Sequence, residues 1–294
     1  GYFDPGTAGN PTDDNGHGTH IAGTIGALDN RQGVLGVFED VAIHSLKVLT
    51  ADGRSDVTTI VAAIDYVRWQ KANVHIYGEP VLINLSLGMD TGSTQYNILD
   101  DAVQKAIDEG IVVVVSAGND ADDASTYSPA HVADAITVGA YDHKDEFSHK
   151  FSNYGPAVDL LAPGHNVVSL PHLEVDADKN WGVVMTGTSM AAPHVTGAAA
   201  MYMAANPGVT PAQVQQALKD GAQAGVIGAP AGTTDKSVHL GFMADTGVTR
   251  TLTLNADWDD NQSTITLRGD MSSGTDLTFS NADTGEQLAR ITSD

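Results

Sequence analysis

The 294-residue sequence contains no cysteine. That excludes disulfides, thiolate catalysis and cysteine-ligated zinc, and it leaves the compartment open. Basic residues are scarce: 14 Lys and Arg stand against 37 Asp and Glu, a formal charge of −23. Such a surface repels nucleic acid and anionic membranes, so neither is expected as a partner. It suits high salt or calcium-rich surroundings, or is simply a solvated acidic surface. No run approaches eighteen uninterrupted apolar residues, so no membrane span is expected. No charged-then-apolar leader opens the chain, and any signal peptide is expected to have been removed. Internal repeats are also absent.

What is present is a 41% hydrophobic composition with 31 glycines, enough for a large core with many tight turns. From residue 41 onward, buried-strand runs alternate with amphipathic helices. "VAIHSLKVL" (41–49), "VLINLSLG" (81–88), "IVVVVSAG" (111–118), "AITVGAY" (135–141) and "AVDLLAPG" (157–164) read as strands. The run at 111–118 is too apolar to be exposed on either face. "DVTTIVAAIDYVRWQKA" (56–72) and "NILDDAVQKAIDEG" (97–110) carry helical periodicity. This order predicts an α/β fold, a parallel sheet with helices on both faces, which presents ligands beyond the carboxyl ends of its strands. Two more helices follow, "TSMAAPHVTGAAAMYMAA" (188–205) and "TPAQVQQALKDG" (210–221), the latter with Thr210 as N-cap and Pro211 in its first turn. Near residue 245 the texture changes to period-two alternation, as in "RTLTLNADWDD" and "STITLRGD". Residues 1–244 therefore read as one domain and 245–294 as a small β-rich appendage.

Three fragments carry chemistry. In "TDDNGHGTHIAGT" (12–24), His17 is flanked by glycines that let backbone approach a ligand, as at the opening of a cleft. His17 and His20 share a helical face, but no further zinc ligands accompany them. In "TGTSMAAPH" (186–194), Ser189 sits where a glycine turn enters a helix, so its hydroxyl can attack and its own N–H can bind the resulting oxyanion. A plain helix cap is the other reading of that serine. Pro193 is expected in the first turn, where proline is tolerated. In "VVVVSAGND", Asn119 follows a buried strand; its amide is either an oxyanion donor or part of an Asx turn.

In this order, "DDNGHGTHIAGTIGA", "INLSLG", "VVVVSAGND" and "GTSMAAPHVTGAAA" resemble the successive blocks of the subtilisin-like serine proteases, the subtilases, over roughly residues 1–225. The resemblance implies a secreted serine endopeptidase that needs no cofactor for catalysis. It makes His17 the general base, Ser189 the nucleophile, and Asn119 with the Ser189 N–H the oxyanion hole. His20 and His194 take structural places. Ser86, Leu87 and Gly88 would pair with the backbone of a protein or peptide substrate, with Gly53 and Ser55 of "DGRSD" on the opposite edge, by β-augmentation. Ala117 and Gly118 would form a wall of the primary pocket. Asp120, with Asp122 and Asp123 nearby, favours Lys or Arg before the cut unless these are ordinary loop acids. "ALDNRQGVLG" (27–36) resembles a calcium loop, with carbonyls of Leu28, Gln32 and Val34 and the side chain of Asn30 as ligands.

One part of the pattern is not found. The family's catalytic Asp ends an apolar strand in a D-[ST]-G turn upstream of the histidine. Asp4, Asp13 and Asp14 precede His17 here without that setting. Three readings stay open: a separate N-terminal segment supplies the Asp, the chain is a silent peptide-binding pseudoenzyme, or another carboxylate substitutes. A related family of acid-active serine peptidases pairs Ser with Glu, and the intact "GHGTH" argues against it.

Overall fold

The apolar run at 112–115 is the middle of the molecule. All four of its valines are at most 1% exposed, which places their strand inside a sheet covered on both faces. Burying one such side chain contributes about 1.5–3 kcal/mol, so this run anchors the layers around it.

The computed structural model describes residues 12–30, 33–73, 80–95, 97–172 and 182–241, together with four strands between 250 and 291. The chain divides into two units, Gly1–His239 and Leu240–Asp294. The first unit begins with α1 (His17–Gly26), α2 (Val57–Asn73), β1 (Leu82–Leu85), β2 (Met89–Asp90) and α3 (Ile98–Asp108). Next come β3 (Val112–Ser116), β4 (Tyr127–Ser128), β5 (Ile136–Tyr141), β6 (Leu160–Pro163), β7 (Val167–Ser169) and β8 (Val183–Met185). It closes with α4 (Thr188–Ala205), α5 (Pro211–Asp220), β9 (Gln223–Ala224) and β10 (Lys236–Ser237).

The main sheet runs β1-β3-β5-β6-β10-β9, parallel except for β9. Its register pairs Leu82 with Val112, Val114 with Ile136, and Val138 with Leu160. One face packs Leu85, Val113 and Val115 against Ile60 and Ile64 of α2 and Leu99, Val103 and Ile107 of α3. The other is crossed by α4, which contacts β1, β3, β5 and β6. The second unit is an antiparallel meander of β11 (Arg250–Ala256), β12 (Ser263–Gly269), β13 (Leu277–Asn281) and β14 (Gln287–Ile291).

Local signals explain the helix ends. Asn97 caps α3 in a reciprocal box with Asp100, and Thr210 does the same for α5 with Gln213. Two expectations fail. The segment 41–49 contains no strand. Its apolar alternation is present, but a strand exists only through a ladder partner. Among the described residues β1 ends the sheet, and a groove of about 1610 Å³ is lined by both segments. Pro193 is the sixth residue of α4, inside the helix rather than in its first turn.

α1 depends on Asp13. Its carboxylate accepts from the backbone N–H of Asn15, Gly16 and Thr19 and from the Thr19 hydroxyl, at 2.7–3.0 Å. Burial works to raise this carboxyl, and these bonds outweigh it, holding it at about 2 against an ordinary 3.8. A depressed carboxyl contributes stability above its unfolded value and loses it as pH falls through the folded one. Asp13→Ala is therefore expected to destabilise by about 1 kcal/mol at neutral pH. In thermal melts the gap to wild type should shrink between pH 3.8 and about 2; a gap that persists at the acid end would contradict this assignment.

Candidate active site

His17 is the first residue of α1, and its preceding cap Gly16 has φ 97°. That conformation suits glycine, and a Cβ there would also come within 3.1 Å of the His172 side chain. Removal from water lowers the His17 imidazole below its ordinary 6.5, nearby His20 lowers it further, and Asp13 acts the other way. A base that is neutral near pH 7 results.

Ser189 is the second residue of α4. Its cap, Gly187, has φ 156° and ψ 163°, a region essentially closed to residues with a Cβ. The helix thus starts abruptly, and the Ser189 N–H has no acceptor among the described residues. The hydroxyl lies 3.2 Å from the Ser86 carbonyl, to which it donates. Asn119 follows β3 and is held by one neighbour: its Oδ1 accepts from the Thr188 N–H at 2.8 Å and from the Thr188 hydroxyl at 2.9 Å. The amide oxygen is thereby engaged, and the Nδ2 hydrogens are left for the groove. Thr188 is fully buried. Its place within "TGTSM" gave it no role from the sequence, and the fold makes it a site residue.

His17, Ser189, Asn119, Ser86, Leu87, Gly88, Gly53 and Ser55 all line the 1610 Å³ groove. Ala117, Gly118 and Asp120 do not line it. Ala117 is completely buried. Asp120 instead accepts the hydroxyl of Tyr127. Desolvation, then the charge of Asp120 and this hydrogen bond, push that phenol up to about 12, with Asp90 and Asp122 adding to it. The 117–122 loop is pinned by Asn153, a fully buried residue. Its amide donates to the Ala117 carbonyl at 3.0 Å and accepts from the N–H of Asp120 and Asp122 at 2.9 and 3.1 Å. No local motif marks Asn153; only the fold brings it to the loop.

Among the described residues no carboxylate hydrogen-bonds the His17 ring, and no hydrogen bond joins it to Ser189. Asp13 is committed to the α1 terminus, and Asp14 pairs with Lys47 at 2.5 Å. Asp4 lies outside the described residues. His20 and His194 are tied to backbone: His20 Nε2 meets the Val167 carbonyl at 3.0 Å, and His194 Nδ1 meets that of Met190 at 2.9 Å. Leu28, Asn30 and Val34 lie on one loop closed by the Gly36 N–H on the Ala27 carbonyl at 2.9 Å; Gln32 is outside the described residues. The donors in view are neutral oxygens, the ligand type calcium takes. Among the described residues no group of three His, Asp or Glu gathers around a common point.

Comparison with known proteins gives the family of the chain. The chain is 43% identical over 210 residues to the extracellular serine proteinase of Thermus sp. strain Rt41A, covering 71% of this chain and 46% of that protein. It is 37% identical over 236 residues to alkaline serine exoprotease A of Vibrio alginolyticus, covering 80% of this chain and 40% of that protein. Subtilisin BL of Lederbergia lenta is 40% identical over 209 residues, 71% of this chain and 70% of that protein. The chain thus spans less than half the length of the first two relatives. The crystal structure of a cold adapted subtilisin-like serine proteinase superposes with a TM-score of 0.67 at 37% identity, over 78% of this chain and 76% of that one. The subtilase family model matches residues 2–254. With the histidine, serine and asparagine blocks on one groove and that match over most of its length, the chain belongs to the subtilase family.

Proposed function

We propose that this chain carries the nucleophile, base and oxyanion donors of a secreted serine endopeptidase. The observation that carries the reading is the convergence of His17, Ser189 and Asn119 on one groove with the Ser86–Gly88 edge. A substrate strand pairs with that edge through its backbone. Ser189 Oγ attacks the scissile carbonyl while His17 takes its proton. The oxyanion receives the Ser189 N–H and the Asn119 Nδ2–H. Collapse expels the amine, protonated by His17, and leaves an acyl-enzyme; water, activated by the same imidazole, then releases the acid. Extracellular action is part of the proposal, as the name of the Thermus relative states for that protein.

The carboxylate that orients His17 belongs, in this proposal, to a strand supplied by a separate segment and seated beside β1. The support is geometric. Among the described residues β1 is the last strand of its sheet, and the apolar segment 41–49 lines the same groove. Ladder spacing of about 4.8 Å on each side is what a strand needs. The competing reading, a silent peptide-binding protein, is favoured by the absence of a carboxylate partner on the His17 ring among the described residues. In subtilisin itself, losing that partner lowers activity by orders of magnitude without abolishing it.

Labelling with a fluorophosphonate separates the two. Prompt modification of Ser189, lost in His17→Ala, is expected of an assembled enzyme. The labelling rate should hold to pH values below the ordinary 6.5 of histidine, because the folded imidazole is depressed. No labelling in a cooperatively melting chain, with the Asp-bearing segment present, would favour the silent binder.

Two finer parts of the proposal are tested apart. Asp120 and Asp122 do not line the groove, so they are proposed to favour Lys or Arg before the cut by their charge at a distance rather than by contact. Faster cleavage of a Lys peptide than of its Leu counterpart is expected, and equal rates would rule this out. Structural calcium is proposed at Leu28, Asn30, Gln32 and Val34, where it would fasten the loop behind α1. Excess EGTA should lower the melting temperature, while an unchanged melt would leave the loop as an ordinary turn.

A further inference from the structure

Proline inside α4 leaves a specific defect. In an α-helix the carbonyl of Ser189 would accept from the N–H of residue 193. Residue 193 is Pro and has none. The carbonyl without a helical partner is therefore that of the residue proposed as nucleophile, which lines the groove. Left unpaired in a part-buried position, it would draw water or shift the first turn.

A hydroxyl from another element takes the vacant place. Ser86 Oγ donates to the Ser189 carbonyl at 2.9 Å. The direction of that bond is set further back. Asn84 Nδ2 donates to Ser86 Oγ at 3.0 Å, so the serine proton points away from Asn84 and toward Ser189. Asn84 in turn is oriented by Thr196, whose single hydroxyl proton is within reach of two acceptors, Asn84 Oδ1 at 2.8 Å and the Ala192 carbonyl at 3.0 Å, with the shorter distance to Asn84. Ser86 and Thr196 are 7% and 3% exposed, so water competes little. In the reverse direction Ser189 Oγ donates to the Ser86 carbonyl at 3.2 Å, and Ser86 grips Ser189 at both ends.

We infer that Thr196, Asn84 and Ser86 form a positioning relay that holds the first turn of α4 by supplying the hydrogen bond Pro193 removes from the Ser189 carbonyl. The relay starts and ends on α4 and crosses β1 between. Because the nucleophile and one oxyanion donor belong to the same residue, a shift of that carbonyl displaces both. These three are positioning residues; none of their side chains is required to touch substrate. The inference rests on the reading of Ser189 as nucleophile for its kinetic consequence, but not for its structural one.

The test uses Ser86→Ala, Thr196→Val, Pro193→Ala and the double variant Ser86→Ala/Pro193→Ala in the whole chain. Ser86→Ala should slow fluorophosphonate labelling and lower kcat by about tenfold with KM little changed, the size of one lost hydrogen bond. Thr196→Val should act in the same direction, and should add almost nothing once Ser86 is Ala. Pro193→Ala restores an N–H at the right position, so the double variant should label several times faster than Ser86→Ala alone. A wild-type rate for Ser86→Ala, or no recovery in the double variant, would overturn the relay. Should wild-type chain fail to label, the endopeptidase reading falls by itself, and melting temperatures decide the relay. Non-additive losses for Ser86→Ala with Thr196→Val, and recovery on adding Pro193→Ala, support it; strictly additive losses refute it.

Discussion

The meeting of the α4 N-terminus with the carboxyl ends of β1 and β3 is the contact on which the site depends. A parallel sheet buried on both faces has no room for polar chemistry along its strands. Its polar side chains collect where strands end and helices begin. Ser86 follows β1 and Asn119 follows β3, while Ser189 opens α4. The valines of β3 fix the depth of that junction, and the small residues of α4 bring its backbone against the sheet. Ala191, Ala192, Ala198 and Ala199 are all completely buried.

Around that junction the polar groups hold one another in order. Thr188 fixes the Asn119 amide, Ser86 takes the Ser189 carbonyl, and Asn153 pins the loop beyond Asn119. Each is a short-side-chain residue that satisfies a backbone group with no partner in regular structure, which is the condition for a polar group to be buried at small cost. The same residues that prevent unsatisfied polar atoms therefore orient the Asn119 amide and the Ser189 backbone, the groups proposed to face substrate. Stability and function are served by one set of bonds here.

The groove beside β1 has a different character. Apolar side chains such as Ile43, Val48, Ile60 and Ile83 line it together with the polar residues of the site. An open sheet edge next to an apolar wall is the usual setting for strand addition. In the proposed function both the substrate strand and the carboxylate-bearing strand would use this property. They would do so at separate places, the Ser86–Gly88 segment for one and the β1 ladder for the other.

Much of this was legible in the sequence, for definite physical reasons. Short continuous apolar runs located β3 and β5 because those strands are buried on both faces, and a helical period with local caps located α3 and α5. The His, Asn and Ser blocks were readable through their resemblance, taken in order, to those of the subtilases; each fragment alone left a plain cap or turn reading open. The strand expected at 41–49 shows the limit: alternation states what a segment can do, and only an available ladder partner makes it a strand. Pro193 was misplaced although the helix bounds were read correctly: a helix that starts at residue 188 already puts residue 193 beyond its first turn, where the ring removes an internal hydrogen bond. The roles of Thr188, Asn153, Asn84 and Thr196 were decided by tertiary structure alone. Each is an ordinary polar residue until folding sets it against a carbonyl, amide or N–H from a distant part of the chain, and no periodicity encodes that meeting.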